Sequence, residues 1–258
     1  MLLRISGITI LTDPTFVHRH EAVPLGYGLH TTRLTDPAVE IEDLPPIDLV
    51  LLSHLHGDHF DLVAEERLPR SVPIITTPQS ARDLREMGFE GAVGLQTWDS
   101  VTLTQGQRHL RITSCPGQHG PGLVDRALPD VMGSVIEFGS GDRPRRMYIS
   151  GDTLLVDDLE EIPRRYPHID VAVFHLGGTR VMGVLVTMDA DQGVEAVRLI
   201  DAGTSIPVHY DDYDVNTSSL EEFLSAADAT GLRERIHALC RGESFSLTTG
   251  PGGAAHPI

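Results

Sequence analysis

The 258-residue sequence predicts an α/β chain of the α+β sandwich type, with two mixed sheets face to face and helices on the outside. Strand-like apolar runs come in one block, are followed by helical stretches, and return in a second block with further helices. No repeat, low-complexity block or linker interrupts this order, so residues 1–250 read as one domain and 251–258 as a flexible tail.

Taken in order, Leu2 to Ser6 and Ile8 to Thr12 read as a hairpin around Gly7, stopped by Asp13-Pro14. Residues 15–46 lack periodicity and read as a long loop. Ile47 to Ser53 and Val72 to Thr77 are short apolar runs, the mark of buried strands. Gln79 to Met87 has helical spacing and stops at Gly88. Strands are expected at Val93 to Gln96, Ser100 to Leu103, Gln107 to Cys115, Val131 to Phe138 and Arg145 to Ser150. A helix is expected over Leu155 to Tyr166, a strand over Val171 to His175, and a helix over Asp189 to Asp201 with an Asp189/Gln192 capping box. Ile206 to Val208, a helix over Ser218 to Thr230, and a strand near Ser244 to Thr248 complete the chain.

Composition narrows the function. The formal charge is −17, and all 20 basic residues are arginine. Such an acidic surface repels phosphate backbones, which argues against general nucleic-acid binding. Two cysteines, Cys115 and Cys240, make no disulfide framework and read as reduced thiols. No signal-peptide pattern and no transmembrane run is visible, so the expectation is a cytoplasmic protein with a small-molecule substrate. Homo-oligomer formation stays open.

The sharpest feature is Ser53-His54-Leu55-His56-Gly57-Asp58-His59, directly after an apolar strand. In extended backbone His54 and His56 point the same way. Gly57 permits a sharp turn, and Asp58 and His59 open the next element. Neutral imidazole and carboxylate are the ligands that suit zinc, manganese or iron. Burying four such groups together costs several kcal/mol unless a partner such as a metal satisfies them.

This motif is the signature of the metallo-β-lactamase superfamily, which the chain resembles along most of its length. The opening Thr12-Asp13-Pro14, Gly117-Gln118-His119-Gly120 after a strand, Ser150-Gly151-Asp152-Thr153 at a strand end, and Pro207-Val208-His209-Tyr210 follow the family's order. The resemblance implies a four-layer αββα fold and two divalent metal ions, with zinc the default and manganese or iron the alternatives. It implies that His54, His56 and His119 bind the first ion, that Asp58, His59 and His209 bind the second, and that Asp152 bridges them. Asp58 is also the catalytic residue, orienting a metal-bridged hydroxide that attacks a carbonyl carbon or a phosphorus.

Within the superfamily the chain is similar to the branches related to N-acyl phosphatidylethanolamine phospholipase D and to L-ascorbate 6-phosphate lactonase. The features are Ile10-Leu11-Thr12-Asp13-Pro14, Asp43-Leu44-Pro45-Pro46-Ile47-Asp48, and Gly177-Gly178 before Thr187-Met188-Asp189. Gly120-Pro121-Gly122-Leu123-Val124-Asp125 departs from the aromatic stretch of the phospholipase-like members. The expected activity is hydrolysis of a small ester, lactone or phosphodiester. The rivals are a di-iron redox protein and a non-catalytic member of the fold. His56 stands where the di-iron branch typically has glutamate, and all seven ligand positions are filled.

Three further residues are candidates near the site. Asp13 could bond a metal histidine from behind, Tyr210 could donate to a substrate oxygen, and Arg180 could clamp a phosphate or carboxylate. His175 reads as a hydrogen-bonded scaffold residue at the end of a buried strand.

Overall fold

The computed structural model describes residues 1–26, 28–105, 108–139 and 143–247. One sheet has five strands in the order β1 (Leu2–Ile5), β2 (Ile8–Thr12), β5 (Leu49–Leu51), β6 (Ile74–Thr76) and β7 (Ala92–Gly94). Only β1 and β2 are antiparallel; the rest pair in parallel. The second sheet has six strands: β15 (Thr204–Val208), β12 (Val171–His175), β11 (Arg145–Ile149), β10 (Gly133–Phe138), β9 (Arg108–Cys115) and β8 (Ser100–Gln105). Its parallel edge, β11-β12-β15, adjoins an antiparallel meander.

Apolar side chains from both sheets meet in one cluster. Ile10, Leu49, Leu51 and Ile75 come from the first sheet, and Ile112, Ile136, Ile149, Val173 and Ile206 from the second. A second cluster packs α4 (Ala190–Ile200) and α5 (Leu220–Ala229) on the outer face of the six-stranded sheet through Val194, Val197, Ile200 and Phe223. A third packs α1 (Leu62–Arg67) and α2 (Pro78–Glu86) on the outer face of the five-stranded sheet through Ala64, Ala81 and Leu84. This is the expected helix–sheet–sheet–helix sandwich. Among the described residues no helix is long and apolar enough to cross a membrane.

Several local expectations need correction. The stretch 15–46 is not wholly loop. It carries a hairpin of β3 (Ala22–Gly26) and β4 (Leu29–Thr32), whose register shifts between Pro24 and Gly26. That irregularity hid the strands from a search for alternation. Helix α1 was not expected; it is one and a half turns long, capped by Asp61, which accepts from the Ala64 N–H at 2.8 Å. The helix expected over Leu155 to Tyr166 is a 3₁₀ turn at Asp157–Glu160 followed by the short α3 (Glu161–Arg165).

Asp189 caps α4 as expected, but Gln192 does not complete the box: its Oε1 accepts from the Leu155 N–H at 2.9 Å instead. The full box occurs at α5, between Ser219 and Glu222. Residues 244–247 form no strand, although Phe245 and Leu247 pack on the inter-sheet core. Thr248 and the tail 251–258 lie outside the described residues. A further two-stranded ribbon, β13 (Arg180–Val181) with β14 (Val184–Leu185), was also not expected.

Candidate metal centre

The seven residues named from sequence meet at one end of the sandwich, where strands of both sheets finish. His54, His56, Asp58 and His59 follow β5; His119 follows β9; Asp152 follows β11; His209 follows β15. They fall into two groups. One ligand atom each from His54, His56 and His119 lie within 4.8 Å of one another, and the same holds for Asp58, His59, Asp152 and His209. His54 and His59 connect the groups, with ring centroids 4.2 Å apart.

In the first group His54 Nε2 lies 3.1 Å from His56 Nδ1, and His119 Nε2 lies 3.3 Å from the same atom. The His119 Nδ1 lies 2.9 Å from the Val186 carbonyl, which can only accept. The ring proton is therefore on Nδ1, and the Nε2 lone pair faces the other two imidazoles. Burial pushes the His54 pKa far down, with the crowding of His59, His56 and His119 adding to it. Burial also lowers His119, and it takes His56 to about 4. Three neutral rings with converging lone pairs are the form in which histidine binds a metal.

The second group is charged. His59 holds its proton well above the usual range and His209 up to about 10: burial opposes this, but Asp152 beside both rings outweighs it. Asp152 Oδ1 is 3.3 Å from His59 Nε2, and its Oδ2 is 3.5 Å from His209 Nε2. Those two rings in turn hold Asp152 well below the usual carboxylate range, against the effect of burial. Asp58 Oδ2 lies 3.7 Å from His209 Nε2.

A metal fits this group on one observation. Asp58 Oδ1, His59 Nε2, Asp152 Oδ1 and His209 Nε2 are all buried without a hydrogen-bond partner. Leaving buried polar atoms unpaired costs roughly 1–3 kcal/mol each. Four such atoms on four facing side chains suit a divalent cation, which would displace the protons that His59 and His209 hold without it and use the freed lone pairs.

The surrounding backbone and side chains aim these groups. Asp13 and His209, each following a strand, take φ values of +41° and +59°. This left-handed backbone is costly for a non-glycine residue, and the neighbouring structure holds it. Asp13 Oδ1 accepts from the Ser53 N–H at 2.7 Å, and its Oδ2 lies 3.3 Å from His59 Nδ1. The Thr187 hydroxyl donates to Asp152 Oδ2 at 2.8 Å. At Gly57 a Cβ would sit 2.3 Å from the Pro24 carbonyl oxygen, so the β3–β4 hairpin rests on the turn of the motif. Asp61 ties residues 16–17 to the same segment by accepting from the Phe16 N–H, and from the Val17 N–H at 2.7 Å.

The remaining candidates sort differently. Asp13 lies behind His59, with its Oδ2 3.3 Å from the His59 Nδ1. Tyr210 is half-buried, and its charged neighbours are Asp211, Asp212 and Arg241, with Cys240 beside them. Arg180 is exposed on the β13–β14 ribbon, 3.8 Å from the Asp189 carboxylate.

Sequence reasoning missed Arg33 and, although it read His175 as a hydrogen-bonded scaffold residue, missed its place beside the site. His175 joins Asp13 and His59 in a third cluster. Arg33 is buried, donates to the Tyr213 hydroxyl at 2.9 Å, and lies 3.6 Å from Asp212, whose other oxygen is 3.8 Å from His209 Nδ1. No motif marks either residue; only the pairing of β4 with the segment after His209, through the Arg33–Tyr213 bridge, brings Arg33 there.

Comparison with known proteins agrees with this architecture. The family described as "Beta-lactamase superfamily domain" matches residues 9–210. A metal-dependent hydrolase of Methanospirillum hungatei is 30% identical over 204 residues, covering 76% of this chain and 83% of that protein. An N-acyl-phosphatidylethanolamine-hydrolyzing phospholipase D of Caenorhabditis elegans is 26% identical over 241 residues, covering 88% of this chain and 65% of that protein. The crystal structure of an isothiocyanate hydrolase from Delia radicum gut bacteria superposes with a TM-score of 0.81 at 21% identity, covering 96% of each chain. A sandwich of two sheets, two His/Asp groups at its end and a family match across both place the chain in the β-lactamase superfamily, among the metal-dependent hydrolases of the metallo-β-lactamase fold.

Proposed function

We propose that the protein hydrolyses a small ester, lactone or phosphodiester with two divalent ions, zinc by default. His54, His56 and His119 hold one ion, Asp58, His59 and His209 hold the other, and Asp152 lies between. The observation that carries the reading is the division of the seven side chains into two adjacent groups, one of neutral imidazoles and one rich in carboxylate. Such a pair of ions would supply Lewis acidity toward the substrate oxygen and would lower the pKa of a water toward neutral.

The chain's own residues do the rest. Asp58 is the catalytic carboxylate: with one oxygen toward the ion, the other would orient the attacking water or take its proton. Thr187 fixes the Asp152 carboxylate, and the Val186 carbonyl fixes the His119 ring, so the site is organised before substrate arrives. No serine or cysteine nucleophile is needed: Cys115 is buried away in the outer core, its thiol pushed up to about 12.

Metal analysis of the purified protein, joined to turnover of bis(p-nitrophenyl) phosphate and of a lactone panel, tests the proposal. Two ions per chain with hydrolysis of one substrate class is the expected result. A single ion, or two iron atoms with oxygen-dependent chemistry and no hydrolysis, would refute it.

A further inference from the structure

His175 ends β12, a strand whose five residues Val171–His175 are all buried. A buried imidazole at such a position costs free energy unless both ring nitrogens find partners. Both do. His175 Nε2 lies 3.4 Å from Asp13 Oδ2, and His175 Nδ1 lies 3.3 Å from the Ser150 hydroxyl. The Ser150 oxygen also accepts from the His175 backbone N–H at 3.0 Å, which pins the base of the ring to β11.

These contacts close a circuit. Asp13 Oδ2, shared with His175, lies 3.3 Å from His59 Nδ1, and the opposite nitrogen of His59 lies 3.3 Å from Asp152 Oδ1. Ser150, the far anchor of His175, is two residues before Asp152. The circuit therefore joins the ends of β2, β11 and β12, which belong to different sheets, and passes through two members of the second group. A carboxylate shared by two imidazoles accepts an N–H from each. That holds the Nδ1 proton of His59 on Asp13 and aims its Nε2, buried and without a hydrogen-bond partner, at the site, where a cation would displace the proton it carries.

We infer that His175 is a positioning residue for the second ion: by holding Asp13 from behind, it fixes the tautomer and tilt of His59. The inference rests on the two-ion reading above. It predicts a selective defect. The first group touches neither His175 nor Asp13 directly: His54, His56 and His119 take their orientation from Ser53, from one another and from Val186. Loss of His175 should weaken one ion and spare the other.

The test uses the full chain loaded with cobalt, titrated with a chelator and followed by absorbance, in parallel with thermal unfolding. In His175→Leu, which keeps bulk but removes both ring nitrogens, one of the two ions should be lost at a chelator concentration about tenfold or more lower than in wild type. The other ion should be unchanged. His175→Gln, whose amide nitrogen can reach Asp13, should recover the second ion to within about threefold. Wild type that binds two ions while His175→Leu binds both as tightly would overturn the role of His175 alone. So would equal loss of both ions, or a loss that His175→Gln does not recover. Wild type that binds fewer than two ions would overturn the two-ion reading instead.

Discussion

His119 Nε2 lies 3.3 Å from His56 Nδ1, although 63 residues separate the two. One ring comes from the turn after β5 in the first sheet and the other from the loop after β9 in the second. Two imidazole nitrogens at that distance, one carrying a lone pair by the constraint of the Val186 carbonyl, are placed to act as two of the three donors that we propose for the first ion.

His56→Ala should therefore remove most of the bound metal and most of the activity while leaving the protein folded. His56 is only partly buried and sits in a turn outside the core clusters, so far-ultraviolet circular dichroism should match wild type. Full turnover with two ions bound would show that the ligands have been misassigned.

Thr187→Val keeps shape but removes the donor to Asp152 Oδ2. Loss of such a supporting hydrogen bond typically costs about 10–100-fold in metal affinity or activity. The expected result is a fall in turnover of at least tenfold, recovered largely by Thr187→Ser. An unchanged rate would mean that Asp152 is held by its histidines alone.

Arg33 supports the segment after His209. Its guanidinium bonds the Tyr213 hydroxyl, the Thr15 hydroxyl at 3.2 Å and the Thr35 carbonyl at 3.0 Å, and it neighbours Asp212. Arg33→Met would leave a buried carboxylate and phenol short of partners, at a cost of about 3 kcal/mol. Urea unfolding monitored by fluorescence measures it. A change below about 1 kcal/mol would show that Arg241, 3.0 Å from Asp212, carries the pairing by itself.

The two thiols should behave oppositely. Burial pushes Cys115 up to about 12, so at pH 8 it stays protonated as well as inaccessible; Cys240 is exposed. Iodoacetamide at pH 8 should modify one cysteine per native chain and two in denaturant, read by mass spectrometry. Labelling of Cys115 in the native protein would contradict its packing.

The site was more legible in the sequence than the fold around it. Ser53 to His59 is contiguous, and its chemistry is in its residue types; His119, Asp152 and His209 follow strands that apolar runs reveal. What the chain does not advertise is support at a distance. His175 looks like the end of an ordinary buried strand, and its partners Asp13 and Ser150 come from two other strand ends. Arg33 directly follows a hairpin whose register is broken, in an isolated bridge to Tyr213, so its burial does not follow from alternation. Gln192 shows the same limit on a smaller scale: its spacing from Asp189 suits a cap, yet tertiary structure gives it the Leu155 N–H.

The contact between Gly57 and the Pro24 carbonyl oxygen has a consequence for how this enzyme can diversify. The root of the hairpin is welded to the turn of the histidine motif, because any side chain at position 57 would collide with backbone rather than with something that can swing aside. Variation is easier at the hairpin's outer end, where the side chains of Leu29 and His30 are exposed. The turn that carries His56 and Asp58 stays fixed while the strand tips above it can change.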